Sequence, residues 1–348
     1  MALRNIYRQY ARRGAVEEEP MITAGRILEA AQIVTRDIES KLASMPDDGE
    51  PLFVVLGEHH DLATHKLAEM RIVHDLQRKG YKVAVGLENS YNLAQTSLEK
   101  EQQQNPSAFT DIMAEQLQTT PHGDSMHVWI AEAALMTEET YLTNKARLKS
   151  FTQSGVSVGL NDAARSDANT GRYLDHEDSY LQGVIHGNEI DTGDKAVDAF
   201  SALGISLRNQ VMMTMATGHA AGQKPDIYIQ ICGALHMAGH ENPGPALGAL
   251  PYSQSLTALY EAKGRYVLGV PLFNDDFTEA SLPADRSGAV VKGPTLNGPA
   301  FKGVDNPRER AWLAEVMSYV MPHRGPDQAA SRPVTGAAPR DGYTCRQN

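Results

Sequence analysis

Five short apolar runs, at 52–56, 83–87, 156–160, 227–232 and 266–270, limit what this chain can fold into more than any other feature. Each is rich in Val, Ile, Leu or Tyr, and none alternates cleanly between apolar and polar residues. A strand with one wet face alternates with period two, whereas a strand buried on both faces is apolar throughout. The segments between the runs are long and helix-like, as parallel crossovers must be. The pattern predicts an α/β fold: a central, largely parallel β-sheet flanked by helices.

The helical segments are predicted from apolar spacing. Ile27, Leu28, Ala31, Ile38 and Leu42 recur at helical steps over about 23–45, up to the turn Pro46-Asp47-Asp48-Gly49. A helix over about 63–79 turns Leu67, Met70, Ile72, Val73 and Leu76 inward and stops at Gly80. The stretch of about 92–153 has helical patterning and no β-like run, so it reads as a helical insertion over the C-terminal edge of the strands. A long helical region is expected over 193–221, interrupted at Gly204. A Gly/Pro-rich passage fills about 274–307, and a last helix, 308–321, carries Trp312, Leu313, Val316 and Val320 on one face. Residues 1–20 read as a flexible arm and 322–348 as a disordered tail, leaving 21–321 as a single α/β domain.

Composition excludes several classes. The net charge is −11 over 348 residues, and no long Lys/Arg block offers phosphates a basic face, so nucleic acid is not an expected partner. Two cysteines, Cys232 and Cys345, supply neither a disulfide framework nor a Cys-based metal motif. No run approaches the roughly 18 apolar residues of a membrane span. The first residues lack the apolar core of a Sec signal peptide, so a cytoplasmic location is expected. Arg4, Arg8, Arg12 and Arg13 keep non-classical secretion open. Nothing in the sequence marks an oligomeric state.

The residues just past each strand-like run carry the chemistry. Gly57-Glu58-His59-His60 comes after the first, Glu88-Asn89 after the second, Asn161-Asp162 after the third and Gly233-Ala234-Leu235-His236 after the fourth. Ligands of open parallel sheets bind outside the carboxyl ends of the strands. Glu58, His60, Glu88, Asp162 and His236 are therefore expected to converge on one crevice. In each Gly-x-x-His segment, glycine lets the chain leave a buried strand sharply, and the histidine can point back over the strand end. Two imidazoles and a carboxylate can hold Zn²⁺, Mn²⁺ or a similar ion with open positions for water. They can also act without metal, one imidazole serving as base while a carboxylate fixes its tautomer. Spacing does not choose between these.

The motif Leu56-Gly57-Glu58-His59-His60-Asp61, with Glu88 beyond it, resembles the opening of the superfamily that groups ChaN-like haem-uptake proteins, TraB/Tiki proteins and erythromycin-esterase-like hydrolases. In that group a Gly-Glu-x-His segment after the first strand is followed by a Glu after the second. An Arg-Asn or Arg-Asp pair on a later helix comes next, often with Met three residues on, and a late Gly-x-x-His closes the set. The matching positions are Gly57–His60, Glu88, Arg208-Asn209 with Met212, and Gly233–His236. The ChaN-like branch fits best, through the first motif and the phrase from Gly233 to Gly244 with Pro251 beyond. The resemblance covers about 52–270; the N-terminal region, the Gly/Pro-rich passage and the last helix have no counterpart in it. It places Arg208 and Asn209 in the site, where Arg208 would clamp Glu58 or Glu88 or bind a substrate anion.

The expectation is a metal-dependent hydrolase of an ester or amide bond in a small molecule or peptide. Glu58, His60 and His236 would hold a divalent ion (Zn, Mn, Co or Fe). Glu88 would work with them, and Arg208 and Asn209 would hold developing negative charge or anchor the substrate. A metal-free variant keeps His60 or His236 as base. The alternatives are a haem or iron-binding protein without turnover, with Tyr91 or His240 as candidate contacts, or a secreted effector retaining the fold. His59 is expected to point away from His60, and His65 lies in a first helical turn within reach of the crevice.

Overall fold

Strands buried on both faces must be flanked by helices, and the computed structural model has this architecture. It describes residues 19–60, 62–90, 147, 150–151, 154–165, 172–190, 192, 196–241, 249–298 and 307–321. The five apolar runs form β1 (Leu52–Glu58), β2 (Val83–Ser90), β3 (Ser157–Asp162), β4 (Ile227–Gly233) and β5 (Val267–Pro271). All pair in parallel, in the order β3-β2-β4-β1-β5. Seven α-helices are present among the described residues: α1 (Pro20–Ala43), α2 (Ala63–Arg78), α3 (Ser179–Gly187), α4 (Ala202–Gln223), α5 (Ala234–Ala238), α6 (Leu256–Ala262) and α7 (Pro307–Val320). None is long and apolar enough to cross a membrane. Residues 1–18 of the predicted arm, the tail and most of the predicted insertion lie outside the described residues; Pro20, assigned to the arm, instead opens α1.

Strand parity sorts the core into two layers. Leu52, Val54 and Leu56 of β1, Val85 and Leu87 of β2, and Ile229 and Ile231 of β4 pack with Ile27, Val34 and Ile38 of α1 and Leu67, Met70 and Val73 of α2. The opposite parity, Phe53, Val55, Ala84, Tyr228 and Cys232, packs with Met212 and Ala216 of α4 and with Leu256 and Tyr260 of α6. Phe53 stacks on Tyr260 with ring centroids 4.6 Å apart. After β1 the chain passes to the α2 layer; after the adjacent β4 it passes to the layer of α5 and α6. Neighbouring parallel strands whose connections leave to opposite faces open a crevice between their carboxyl ends. Glu58 of β1 is in register with Gly233 of β4 at that point.

Two expectations change. The strands run further than the apolar runs, so that Glu58, Glu88 and Asp162 are the last strand residues or near them rather than loop residues. Gly204 does not interrupt a helix: it lies in the first turn of α4, its N–H donating to the capping Ser201 Oγ at 3.0 Å. A Cβ on it would press into Asp198 O and come within 2.8 Å of Ala199 Cα, so glycine serves close packing there.

The α4 layer holds a buried polar cluster. Asn161 Nδ2 donates to Tyr228 Oη (2.9 Å) and Gln230 Oε1 (2.7 Å), and Tyr228 Oη meets His219 Nδ1 at 3.0 Å. Gly86 leaves the room for it, since a Cβ at Gly86 would collide with Asn161, Gln230 and the Tyr228 hydroxyl. Gly86→Ala is expected to lose about 1–3 kcal/mol in urea unfolding by overpacking. Gly218→Ala, on α4 with nothing within 4 Å of its added Cβ, should gain about 0.5–1 kcal/mol.

Candidate functional site

The parity that sorts the core also sorts the acids. Glu58 continues Leu52, Val54 and Leu56 toward the α2 layer, and Glu88 continues Ala84 toward the α4 layer. Each meets the cations of its own side. Glu58 Oε2 accepts from Lys66 Nζ of α2 and from Arg147 Nη1, each at 3.2 Å, and Arg147 also bonds Glu69. Glu88 Oε1 pairs with Arg208 Nη2 of α4 and lies 3.2 Å from His236 Nε2 of α5. Its Oε2 accepts the Gly233 N–H at 2.7 Å. Arg208 in turn grips Asp162 at the end of β3, through Nε (2.9 Å) and Nη2 (2.8 Å), and Arg165 Nη2 reaches the same carboxylate at 2.8 Å.

His60 joins the two groups. Its Nδ1 is 2.9 Å from Glu58 Oε1 and its Nε2 3.4 Å from Glu88 Oε2, and half of its side chain is exposed (49%). Glu58, Glu88, Asp162, Arg208 and His236 beneath it are at least nine-tenths buried. The structure thus brings Glu58, His60, Glu88, Asp162, Arg208, Asn209 and His236 into one contact series.

Two of these residues position others. Asn209 Nδ2 donates to Gln254 O (2.8 Å), which turns its Oδ1 toward His236 Nδ1 at 2.6 Å. His236 therefore carries a proton on Nδ1, and its Nε2 faces a carboxylate oxygen, an acceptor, so that contact is a hydrogen bond whenever Nε2 is protonated. Arg208 spans Glu88 and Asp162, one of the two clamps the sequence allowed for it. Glu58, assigned with His60 and His236 to a metal, stands behind His60 with its oxygens engaged by His60, Lys66 and Arg147. Among the described residues, no group of three or more His, Cys, Asp and Glu side chains is arranged to hold a metal ion.

Electrostatics divides the two imidazoles. Burial works against a charged His60, but attraction to Glu88 and the bonds to Glu58 outweigh it and push its pKa up to about 10. Solvent over its exposed half screens both carboxylates and softens that rise. Burial lowers His236 below its ordinary value, and Arg208 offsets the pull of Glu88. Burial opposes ionisation of Glu88 and Glu58 too, yet His236, His60 and Arg208 hold the first well below the usual carboxylate range, and Lys66 and Arg147 hold the second there. Burial and the Glu58 anion push Glu69 well up.

The remaining candidates sit elsewhere. His65 is fully buried between the His59 N–H and Leu296 O. His240 is half-buried, its ring 5.8 Å from that of Phe277 and its backbone paired with Leu250. Tyr91 lies outside the described residues. Sequence reasoning missed Lys66, Glu69, Arg147 and Arg165. The first two had a local signal: opposite charges interleaved with Leu67, Met70 and Val73 on the inward side of α2. Arg147 had none, because its partners are supplied only by the fold.

No protein-family model, curated protein or solved structure matches the chain.

Breaking the clamp strands two buried anions. Arg208→Leu should cost about 3–5 kcal/mol in chemical unfolding, and Arg208→Lys should recover only part of this because an ammonium cannot fork between two carboxylates. Asp162, whose pKa falls from 3.8 to about 2 against its burial because of Arg208 and Arg165, contributes stability that is full above pH 4. That contribution is lost as pH falls from about 4 toward 2. Asp162→Asn should flatten the acid limb of a stability–pH curve in that window.

Proposed function

We propose that this crevice hydrolyses an ester or amide bond of a small molecule or peptide by acid–base catalysis. The observation that carries the reading is the pair of imidazoles flanking Glu88, with protonation set in opposite directions by their surroundings. Titratable groups whose environments drive their pKa values apart mark the acid and the base of a site. His236, its pKa lowered by burial and its Nδ1–H fixed by Asn209, is the base: Nε2 takes a proton from the water that attacks the carbonyl carbon. Glu88 then faces an imidazolium, which it stabilises. His60, held protonated by Glu58 and Glu88, stabilises the oxyanion and protonates the leaving alkoxide or amine as the C–O or C–N bond breaks. The protons from His60 and His236 return to resting positions through water. Glu58, Arg208 and Asn209 position these groups, and the strand-end resemblance to an esterase-containing superfamily agrees with the reading.

A metal-dependent variant has one observation in its favour. His236 Nε2 lies 3.2 Å from one Glu88 oxygen, and His60 Nε2 lies 3.4 Å from the other. Histidines whose second nitrogen is held by an acceptor, as here by Glu58 and Asn209, are typical of metal ligands. His60, Glu88 and His236 would be the donors, and a bound ion would lower the pKa of its water. Because no described group is already arranged to hold an ion, binding would require these donors to draw together, and Glu88 to loosen from Arg208.

The acid–base reading expects a bell-shaped pH–rate profile, rising through a pKa below 6.5 and falling as His60 loses its proton toward pH 10. His236→Ala and Glu88→Gln should each reduce kcat by roughly 10²–10⁴, and His60→Gln should remove the alkaline limb. Elemental analysis separates the variants. Stoichiometric Zn, Mn, Co or Fe in the wild type, absent from both His60→Ala and His236→Ala, would replace the imidazole base with the metal. Full activity of His236→Ala on a true substrate would overturn both.

A further inference from the structure

Two backbone groups, one on each side of His60 in the chain, are each held by a side chain of α2. The His60 carbonyl accepts from Lys66 Nζ, and the His59 N–H donates to His65 Nδ1 at 3.0 Å. Lys66 belongs to the Glu58 ion network. His65 leads away from it: its Nε2 lies 2.9 Å from Leu296 O in the Gly/Pro-rich passage.

The partners of His65 fix its chemistry. A backbone N–H only donates, so Nδ1 carries the lone pair; a carbonyl only accepts, so Nε2 carries the proton. The side chain is 0% exposed. Burial, against the bond to Leu296, lowers its pKa to about 3. His65 is therefore a neutral ring with both nitrogens in use, joining two backbones at a separation set by the imidazole itself.

The passage it reaches is fastened to the strand ends. Leu272 N–H donates to Gly57 O (2.8 Å), Phe273 N–H to Pro294 O (2.9 Å) and Leu296 N–H to Phe273 O (2.8 Å). Phe273 and Thr295 form a parallel bridge. Two residues beyond Leu296, Gly298 lies against the first turn of α2, where an added Cβ would come 2.5 Å from Thr64 Oγ1 and 3.0 Å from Thr64 Cβ. Hydrogen bonds therefore run from the residues after β5 through Leu296 and His65 to the Glu58–His59 peptide, one residue before His60.

We propose that His65 is a positioning residue for His60, and that the passage around 294–298 is part of the framework of the site. The catalytic meaning of this rests on the hydrolase reading; the mechanical coupling does not. Small displacements of a catalytic group are costly, a misplacement of about 1 Å being worth on the order of 10²-fold in rate. His60 is the half-exposed member of the site, so it gains most from a fixed backbone on both sides.

The test is heteronuclear NMR of the full chain, reading imidazole nitrogens and amide exchange. In the wild type, His65 should show a single Nε2–H tautomer and no titration between about pH 5 and 8, the range of an ordinary histidine; an Nδ1–H tautomer or a titration in that range overturns the proposal. His65→Phe keeps a ring without either hydrogen bond. It should raise exchange of the His59 amide roughly five- to tenfold and shift the His60 ring resonances, while the amides of α1 stay protected. His65→Asn, which returns an acceptor near the place of Nδ1, should restore much of the His59 protection. Gly298→Ala, which touches no residue of the site, should shift the same His60 resonances by displacing Thr64 and the passage. If His65→Phe does not fold, the wild-type tautomer and Gly298→Ala decide. Unchanged His60 resonances in folded variants overturn the coupling. If the coupling is seen while His236→Ala keeps activity on a true substrate, the hydrolase reading fails alone and the positioning of His60 stands.

Discussion

A carboxylate nine-tenths buried needs cationic or donor partners, and Glu88 has drawn its own from four parts of the fold. Arg208 comes from α4, His236 from α5, the Gly233 N–H from the end of β4 and His60 from the segment after β1. Taking an isolated carboxylate out of water costs several kcal/mol even after relaxation, so the position of each partner is tied to the others. Arg208 cannot swing toward Glu88 alone, because Asp162 holds its Nε and Nη2. The network is a constraint on geometry before it is a source of stability.

Parity explains why the two glutamates behave differently although both end apolar strands. Glu58 and Glu88 emerge on opposite faces of the sheet, so Glu58 is neutralised by Lys66 and Arg147 and Glu88 by Arg208. His60 lies where the two faces meet, between two anions, and is driven toward the imidazolium. His236 faces the same Glu88, but with Arg208 beside it and protein around it, and is driven toward the neutral form. One carboxylate shared by two imidazoles in unequal surroundings drives two residues of one type toward opposite protonation states.

The sheet was legible in the sequence because burial on both faces removes the polar alternation from all five strands. The strand-end residues Glu58, His60, Glu88, Asp162 and His236 were legible for a related reason: polar residues that end buried strands have few places to go but the crevice. Their pairings were not. Parity sets the side each glutamate takes, but which helix covers that side, and the register of β1 against β4, are long-range facts. Arg147 finds Glu58 from 89 residues away, a distance no local pattern reports. Lys66 and Glu69 break the apolar side of α2 and were open to notice. Gly204 misled because a glycine in a helical pattern marks either an interruption or a close approach, and the neighbouring backbone of Asp198 decides which.

The two Gly-x-x-His segments need glycine for space more than for a turn. Gly233 has φ −57°, a value open to any residue. A Cβ there would stand 3.0 Å from His60 Nε2 and 3.5 Å from Glu88 Oε2. A Cβ on Gly57 would stand 3.1 Å from Ala234 Cα and 3.2 Å from Met237 Cβ, on the short helix that carries His236. Each glycine therefore clears room for the other segment: Gly233 for His60, and Gly57 for the helix of His236. Such reciprocity requires the segments to extend adjacent strands in matched register, and Gly57 pairs with Cys232 while Glu58 pairs with Gly233. The repeated motif is thus one interlocked unit contributed from two distant parts of the chain. A side chain added at either glycine would displace the histidine or helix of the other segment as well as straining its own strand.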